Sequence, residues 1–194
     1  MTLATTFLLG IIYPLVVTGL SQVLFQAKAN GQLIKVNGII IGSRIIGQAF
    51  TSPGYFHSRP SSAGNGYDPL NSNGSQLGPT NQKLIDRVKG DVAKAQAENP
   101  KTTVPIDLVT ASASGLDPDI SPATAAFQVP RVAKVRGIPE DQLREIVAKH
   151  IEGRQLGFLG EPRVNVLELN LDLDKLVPAN KQARITTEIS KNAQ

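Results

Sequence analysis

The chain has 194 residues, 41% of them hydrophobic, with 20 Lys and Arg against 16 Asp and Glu, which is room for one ordinary domain with a packed core and excludes wholesale disorder. The absence of Cys excludes disulfide frameworks, Cys-ligated zinc, iron–sulfur clusters and thiol catalysis, and two His, His57 and His150, leave little for a His-based metal site. A formal net charge of +4 with 5% aromatics supplies neither the basic footprint nor the stacking platforms of a nucleic-acid binder.

No charged side chain precedes Lys28, and Leu3–Phe25 holds thirteen Leu, Ile, Val or Phe. As a helix this run is roughly 35 Å long, enough for a hydrocarbon core of about 30 Å. Pro14 and Gly19 suit a membrane helix better than a soluble one. The reading is a transmembrane helix over residues 3–26, kinked near Pro14. A cleaved secretory signal is the first alternative, with Ala27-Lys28-Ala29 in the form of a cleavage site, but the apolar run is long and has no basic n-region. A buried core helix is the second, and its polar stripe would be thin. Residues 1–67 contain no acid, so the positive-inside rule alone would place the following domain in the cytoplasm.

Leu33–Val36, Asn37-Gly38 and Ile39–Ile41 read as strand, tight turn, strand. Residues 51–79 form a long loop rich in Gly, Pro, Ser and Asn, of a length that is often functional. Thr80–Glu98 predicts a helix with Leu84, Val88 and Val92 on one face, capped by Thr80 or Asn81. Val104–Val109 predicts a strand running into the small-residue stretch 110–115. Ser121-Pro122 opens a helix that Pro130 should bend or break. Pro139 opens another to about Ile151. Val164–Leu173 alternates and predicts a half-buried strand, turning helical near its end. Residues 177–194 read as a loose polar tail.

The chemistry is sparse. No Walker or dinucleotide-binding glycine motif occurs. The 110–115 stretch could present backbone N–H groups to an anion, or simply be a close-packed connection. Ser112 and Ser114 are the nucleophiles one would name, but a positioned base is not evident. Asp117 and Asp119 read as turn formers. Arg59, beside His57 in the long loop, suggests an Arg–carboxylate clamp or a partner contact. A domain without a catalytic constellation, tethered by one helix, points to a subunit of something larger.

Several blocks in fixed order carry a resemblance: Tyr13-Pro14-Leu15, Ala29-Asn30-Gly31, Ile46-Gly47-Gln48 with Phe50, residues 55–61 (YFHSRPS), residues 72–81 (SNGSQLGPTN), residues 109–117 (VTASASGLD), Pro130-Arg131-Val132-Ala133, and Val164-Asn165-Val166-Leu167 with Leu169-Asn170-Leu171. Over about residues 7–176 the chain resembles the KdpC family, the C subunit of the Kdp-type potassium-transporting P-type ATPases of bacteria. The resemblance implies an α/β (α+β-like) extracytoplasmic domain, residues 27–176, on one transmembrane helix in the bacterial inner membrane. It implies assembly with a channel-like potassium-binding subunit (KdpA), the ATP-hydrolysing subunit (KdpB) and a very small single-span subunit (KdpF). It implies a non-catalytic part in assembly and in raising ATP binding by the catalytic subunit, with no tightly bound cofactor, catalytic residue or metal of its own. Family members usually carry basic residues before the span; this sequence has none there, so its orientation rests on the resemblance. On this reading Tyr13 and Pro14 pack the span against a partner helix. His57, Arg59, Ser112, Ser114 and Gln128 are the candidate partner- or nucleotide-linked residues. The competing functions are a membrane-anchored hydrolase using Ser112 or Ser114, and a secreted binding domain.

Overall fold

The computed structural model describes residues 1–176; the expected tail lies outside the described residues. The chain divides into two compact units, Met1–Ile45 and the chain from Ile46 onward.

In the first unit, helix α1 (Thr2–Leu24) is the one helix among the described residues that is long and apolar enough to cross a membrane. The disturbance expected near Pro14 takes the form of a π-helical stretch at Leu8–Ile12, where the Tyr13 N–H bonds the Leu8 carbonyl. Pro14 has no N–H to offer the carbonyl four residues back, and wider bonding just before it is one way a helix absorbs that loss. Phe25 leaves helical geometry, and a short turn, α2 (Gln26–Ala29), follows. The hairpin forms where the Asn-Gly pair predicts it. Strands β1 (Leu33–Val36) and β2 (Ile39–Ser43) are antiparallel, with Val36 opposite Ile39. Asn37 and Gly38 both take positive φ, 52° and 81°, as a tight turn between right-twisted strands requires.

The second unit contains α3 (Gln82–Glu98), β3 (Asp119–Ile120), α4 (Pro122–Arg136), α5 (Glu140–Lys149), β4 (Ile151–Glu152), β5 (Arg163–Asn165) and α6 (Val166–Leu176). The strands make an antiparallel sheet in the order β3-β5-β4. The core joins the inward faces of α4 (Ala125, Val129, Val132), α5 (Leu143, Ile146, Val147) and α6 (Val166, Leu169, Leu173) with Ile120 and Val164 of the sheet and Phe56 of the long loop. Mixed helix and strand, with one N-terminal apolar helix, is the class the sequence predicts.

Three local expectations are corrected. Val104–Val109 is not a strand: Ile106–Leu108 is a 3-10 turn. Pro105 offers no N–H to a strand partner, and the buried Asp107 carboxylate turns instead to the start of α4, accepting from the Ser121 N–H at 2.7 Å, the Ser121 hydroxyl at 3.0 Å and the Thr124 hydroxyl. The half-buried strand 164–173 shortens to Arg163–Asn165 before the chain turns helical. Leu and polar residues alternate there, but Val166, Leu169, Asn170 and Leu173 also fall at i, i+3, i+4 and i+7, and the helical spacing wins because it faces the core. Finally, α4 runs unbroken through Pro130 and ends on Gly137 in the left-handed region. Ala126, whose carbonyl loses its donor to Pro130, is exposed, so water can serve it.

Candidate functional site

The blocks from residue 46 onward that carry the resemblance lie in the second unit, and several of them converge there from far apart in the sequence. Residues 53–61 thread past α4 and α6. Asn170 of α6 accepts the Phe56 N–H at 2.9 Å and donates to the Phe56 carbonyl at 2.9 Å. Gln128 of α4 does the same for His57, at 2.8 and 3.0 Å. Both carboxamides are about 1% exposed. A buried extended segment needs partners for its N–H and C=O groups, and two side-chain amides supply them here in place of a neighbouring strand.

Two arginines of α4 fix the same segment. Arg131 donates to the carbonyls of Pro53 (2.5 Å) and Tyr55 (2.9 Å), to Gln128 Oε1 (2.6 Å) and to Glu98 (2.8 Å). Arg136 donates to the Gly54 carbonyl and to Asp174, and its guanidinium lies 4.7 Å from the centre of the Tyr55 ring. The Tyr55 hydroxyl donates to Asp174 at 2.9 Å. Burial, reinforced by that carboxylate, raises the Tyr55 pKa. The His57 imidazole meets the Ser52 carbonyl at 3.0 Å through Nε2, which assigns the proton to that nitrogen. Burial and then the Arg131 charge push its pKa below the ordinary value, so His57 is neutral at pH 7.

Beyond it, Arg59 forms the expected clamp. Its guanidinium meets Asp117 at 2.8 Å and reaches the Thr110 carbonyl at 3.4 Å. Tyr67 donates to the Arg59 carbonyl at 2.7 Å, and burial pushes the phenol up to about 12. The clamp draws the 53–61 segment onto the loop 110–117. Ser61 donates to the Gly115 carbonyl at 2.6 Å and accepts from the Tyr67 N–H at 2.8 Å. Ser112 accepts the Gly115 N–H at 3.0 Å, and Ser114 accepts the Leu116 N–H at 3.1 Å. The Ser114 carbonyl receives the Asn73 N–H and the Ser72 hydroxyl, both at 3.0 Å. The Gly47 N–H reaches the Leu116 carbonyl at 2.8 Å. Gly115 has φ +68°, and a Cβ there would stand 2.7 Å from the Ala63 N and the Asn73 O, so only glycine fits.

Of the sequence-stated residues, the structure brings Arg59, Ser112 and Ser114 together in this knot. Gln128 of α4 is buried with both amide atoms engaged by the backbone of His57, which lies in the threaded segment. Tyr13 and Pro14 belong to the first unit. Neither serine hydroxyl meets a histidine: His57 is bonded to Ser52, and His150 to Asp172 at 2.8 Å. Among the described residues no group of three or more His, Asp or Glu is placed to hold a metal ion. Beside the knot an open cleft of about 640 Å³ is lined by Arg59, Asp107, Thr110, Asp117, Asp119 and Arg163. Sequence reasoning gave no role to Asp107 or Arg136, and none to Arg131 and Asn170 beyond their place in the motif blocks. Asn170 had one usable signal, its place on the same helical face as Val166, Leu169 and Leu173.

The chain matches the family described as "KdpC: K+-transporting ATPase, c chain" over residues 1–175. It belongs to the KdpC family. A relative named as the KdpC subunit of a potassium-transporting ATPase, from Koribacter versatilis (strain Ellin345), is 66% identical over 178 residues, covering 92% of each chain. Others of that name come from Rhodopseudomonas palustris (strain BisB18), 56% identical over 89% of this chain and 92% of the relative, and from Acidobacterium capsulatum, 55% identical over 90% and 94%. As a KdpC protein the chain is an accessory subunit of a P-type ATPase complex that transports potassium, it works with the other Kdp subunits, and its apolar α1 fits a membrane anchor.

Proposed function

We propose that the chain is a non-catalytic, single-pass subunit of the inner membrane. Its folded domain lies outside the cytoplasm and stabilises the assembled pump of channel-like (KdpA), ATP-hydrolysing (KdpB) and small single-span (KdpF) subunits. The observation that carries this reading is the closure of the 110–117 loop on the protein itself. Ser112 and Ser114 accept backbone N–H groups of their own loop, Ser61 donates across to the Gly115 carbonyl, and Arg59 spends its charge on Asp117. That chemistry builds a stiff platform and leaves no activated nucleophile. Tyr13 and Pro14 pack the span against a partner helix. A domain outside the cytoplasm cannot touch ATP, so any rise in the ATP affinity of the catalytic subunit is indirect, through the stability of the nucleotide-competent assembly.

The test is purification of the complex with and without this chain, assayed for potassium-stimulated ATP hydrolysis, together with proteolysis of the domain in sealed vesicles of known sidedness. The expected result is loss of stimulated hydrolysis without the chain, protection of the domain in inside-out vesicles and its cleavage in right-side-out ones. Full stimulated activity without the chain overturns the subunit role. A domain cleaved from the cytoplasmic side overturns the indirect role and favours direct contact with ATP. Ser112→Ala and Ser114→Ala are expected to keep full stimulated hydrolysis; its abolition in a folded variant would favour the hydrolase.

A further inference from the structure

The hairpin β1–β2 is a two-stranded ribbon whose aliphatic side chains are left in the open. Leu33, Val36, Ile39 and Ile40 all stand exposed, Ile39 by 69%. Val36 and Ile39 form one cross-strand pair and Lys35 and Ile40 the next, so apolar side chains occupy both faces of the ribbon. A lone two-stranded hairpin is marginal in water, and one with this much bare Ile and Val needs a cover.

Its attachment and charge say what covers it. Gln22 of α1 and Asn30 exchange side-chain hydrogen bonds at 3.2 and 3.4 Å. The Gln32 N–H bonds the Ala27 carbonyl at 2.9 Å, the Arg44 N–H bonds the Gln32 carbonyl at 3.1 Å, and Ser43 donates to the Gly31 carbonyl at 2.6 Å. The base of the ribbon is therefore fastened to the end of α1. A 23-residue helix is about 35 Å long and outruns a core of about 30 Å, so that end emerges among lipid headgroups. The whole unit Met1–Ile45 contains no carboxylate side chain, while it carries Lys28, Lys35 and Arg44. Among the described residues neither Lys28 nor Lys35 is in an ion pair.

We propose that the β1–β2 hairpin is a membrane-interface element: its turn end dips into the surface of the bilayer that α1 crosses, with the Val36 and Ile39 face at the acyl boundary and Lys28 and Lys35 reaching anionic headgroup phosphates. Apolar contact and surface cations together are what interfacial binding needs, and each Lys near an anionic surface is worth a severalfold gain. The proposal rests on the reading of α1 as a membrane span.

The test places a photoreactive side chain at Ile39 of the full chain in the assembled complex, in nanodiscs of phosphatidylcholine with or without phosphatidylglycerol. Probes at Leu15 and Val17, on opposite faces of α1, report the span, and a probe at Leu70, exposed in the second unit, is the aqueous control. Lipid adducts are expected at Ile39 and absent at Leu70. The Lys28→Gln and Lys35→Gln changes should each lower the Ile39 adduct yield about fivefold in phosphatidylglycerol mixtures and leave it unchanged in phosphatidylcholine alone. An Ile39 cross-link to another subunit, to the second unit of the same chain, or to nothing overturns the proposal. Lipid adducts absent at both Leu15 and Val17 overturn the span itself, which separates the two failures.

Discussion

Asn170 and Gln128 each satisfy both backbone polar groups of one loop residue, and that sets what their removal does. Asn170→Ala strands the N–H and C=O of Phe56, which is fully buried. Each stranded group costs about 1–3 kcal/mol, so the loss should be about 2–6 kcal/mol. Ser114→Ala removes one acceptor from an exposed turn and should cost about 1 kcal/mol or less. Denaturant unfolding of the full chain in detergent, followed by far-ultraviolet circular dichroism, compares the two; equal losses would show that the amide clips are dispensable. His57 adds a pH dependence. Its pKa is lowered in the folded state, chiefly by burial and then by Arg131, against opposing contributions from the Ser52 carbonyl and Glu98. The unfolded imidazole binds a proton below about 6.5 that the folded one resists. Stability is therefore fully present above that pH and falls as the pH drops toward the folded value. His57→Gln keeps a donor for Ser52 and should flatten the slope in that window; an unchanged slope would assign it to another group. Asp172 is lowered too, first by its bond from Lys175 and then by His150, so its contribution is lost only at more acid pH, below the ordinary carboxylate value.

At the scale of elements, two joints decide the architecture. The start of α4 is held by Ser121, whose hydroxyl accepts the Thr124 N–H at 3.1 Å, and by Asp107 behind it. Ser121→Ala should cost about 1–2 kcal/mol through loss of the cap and of one Asp107 contact. The turn at Gly115 is stricter. Gly115→Ala meets both a left-handed backbone and two close backbone atoms, and a loss of about 2 kcal/mol or more is expected on the same denaturation curve. A near-neutral Gly115→Ala would mean that the loops pack less tightly than described. The elements also show how far a sequence can be read. Asn37-Gly38 announces its hairpin because the turn chemistry is local. Helices 82–98 and 140–149 follow from periodicity and punctuation. By contrast, 166–176 carries strand and helix patterns at once, and only the core it faces chooses between them. The 104–109 segment reads as a strand by composition, but Asp107 is committed to a helix cap fourteen residues away. The knot was legible as a set of motifs around Arg59 and Asp117, whereas Asn170, Arg131 and Arg136 act on carbonyls remote in sequence, which no local pattern records.

At the scale of the whole molecule, membership of the KdpC family gives the small-residue loop and the Arg59 clamp a setting. They belong to a subunit of a potassium-transporting ATPase complex. The clipping of residues 53–57 has a further consequence for how the protein is made. Its clamps come from Gln128, Arg131, Arg136 and Asn170, roughly 70 to 115 positions later in the chain. Synthesis is vectorial, so the membrane helix and hairpin are complete while the threaded segment still waits for its last fastener. A nascent chain stalled before α6 has left the ribosome should stay open to protease around Phe56, and the same site should become resistant once Asp174 has emerged and its carboxylate can meet Arg136.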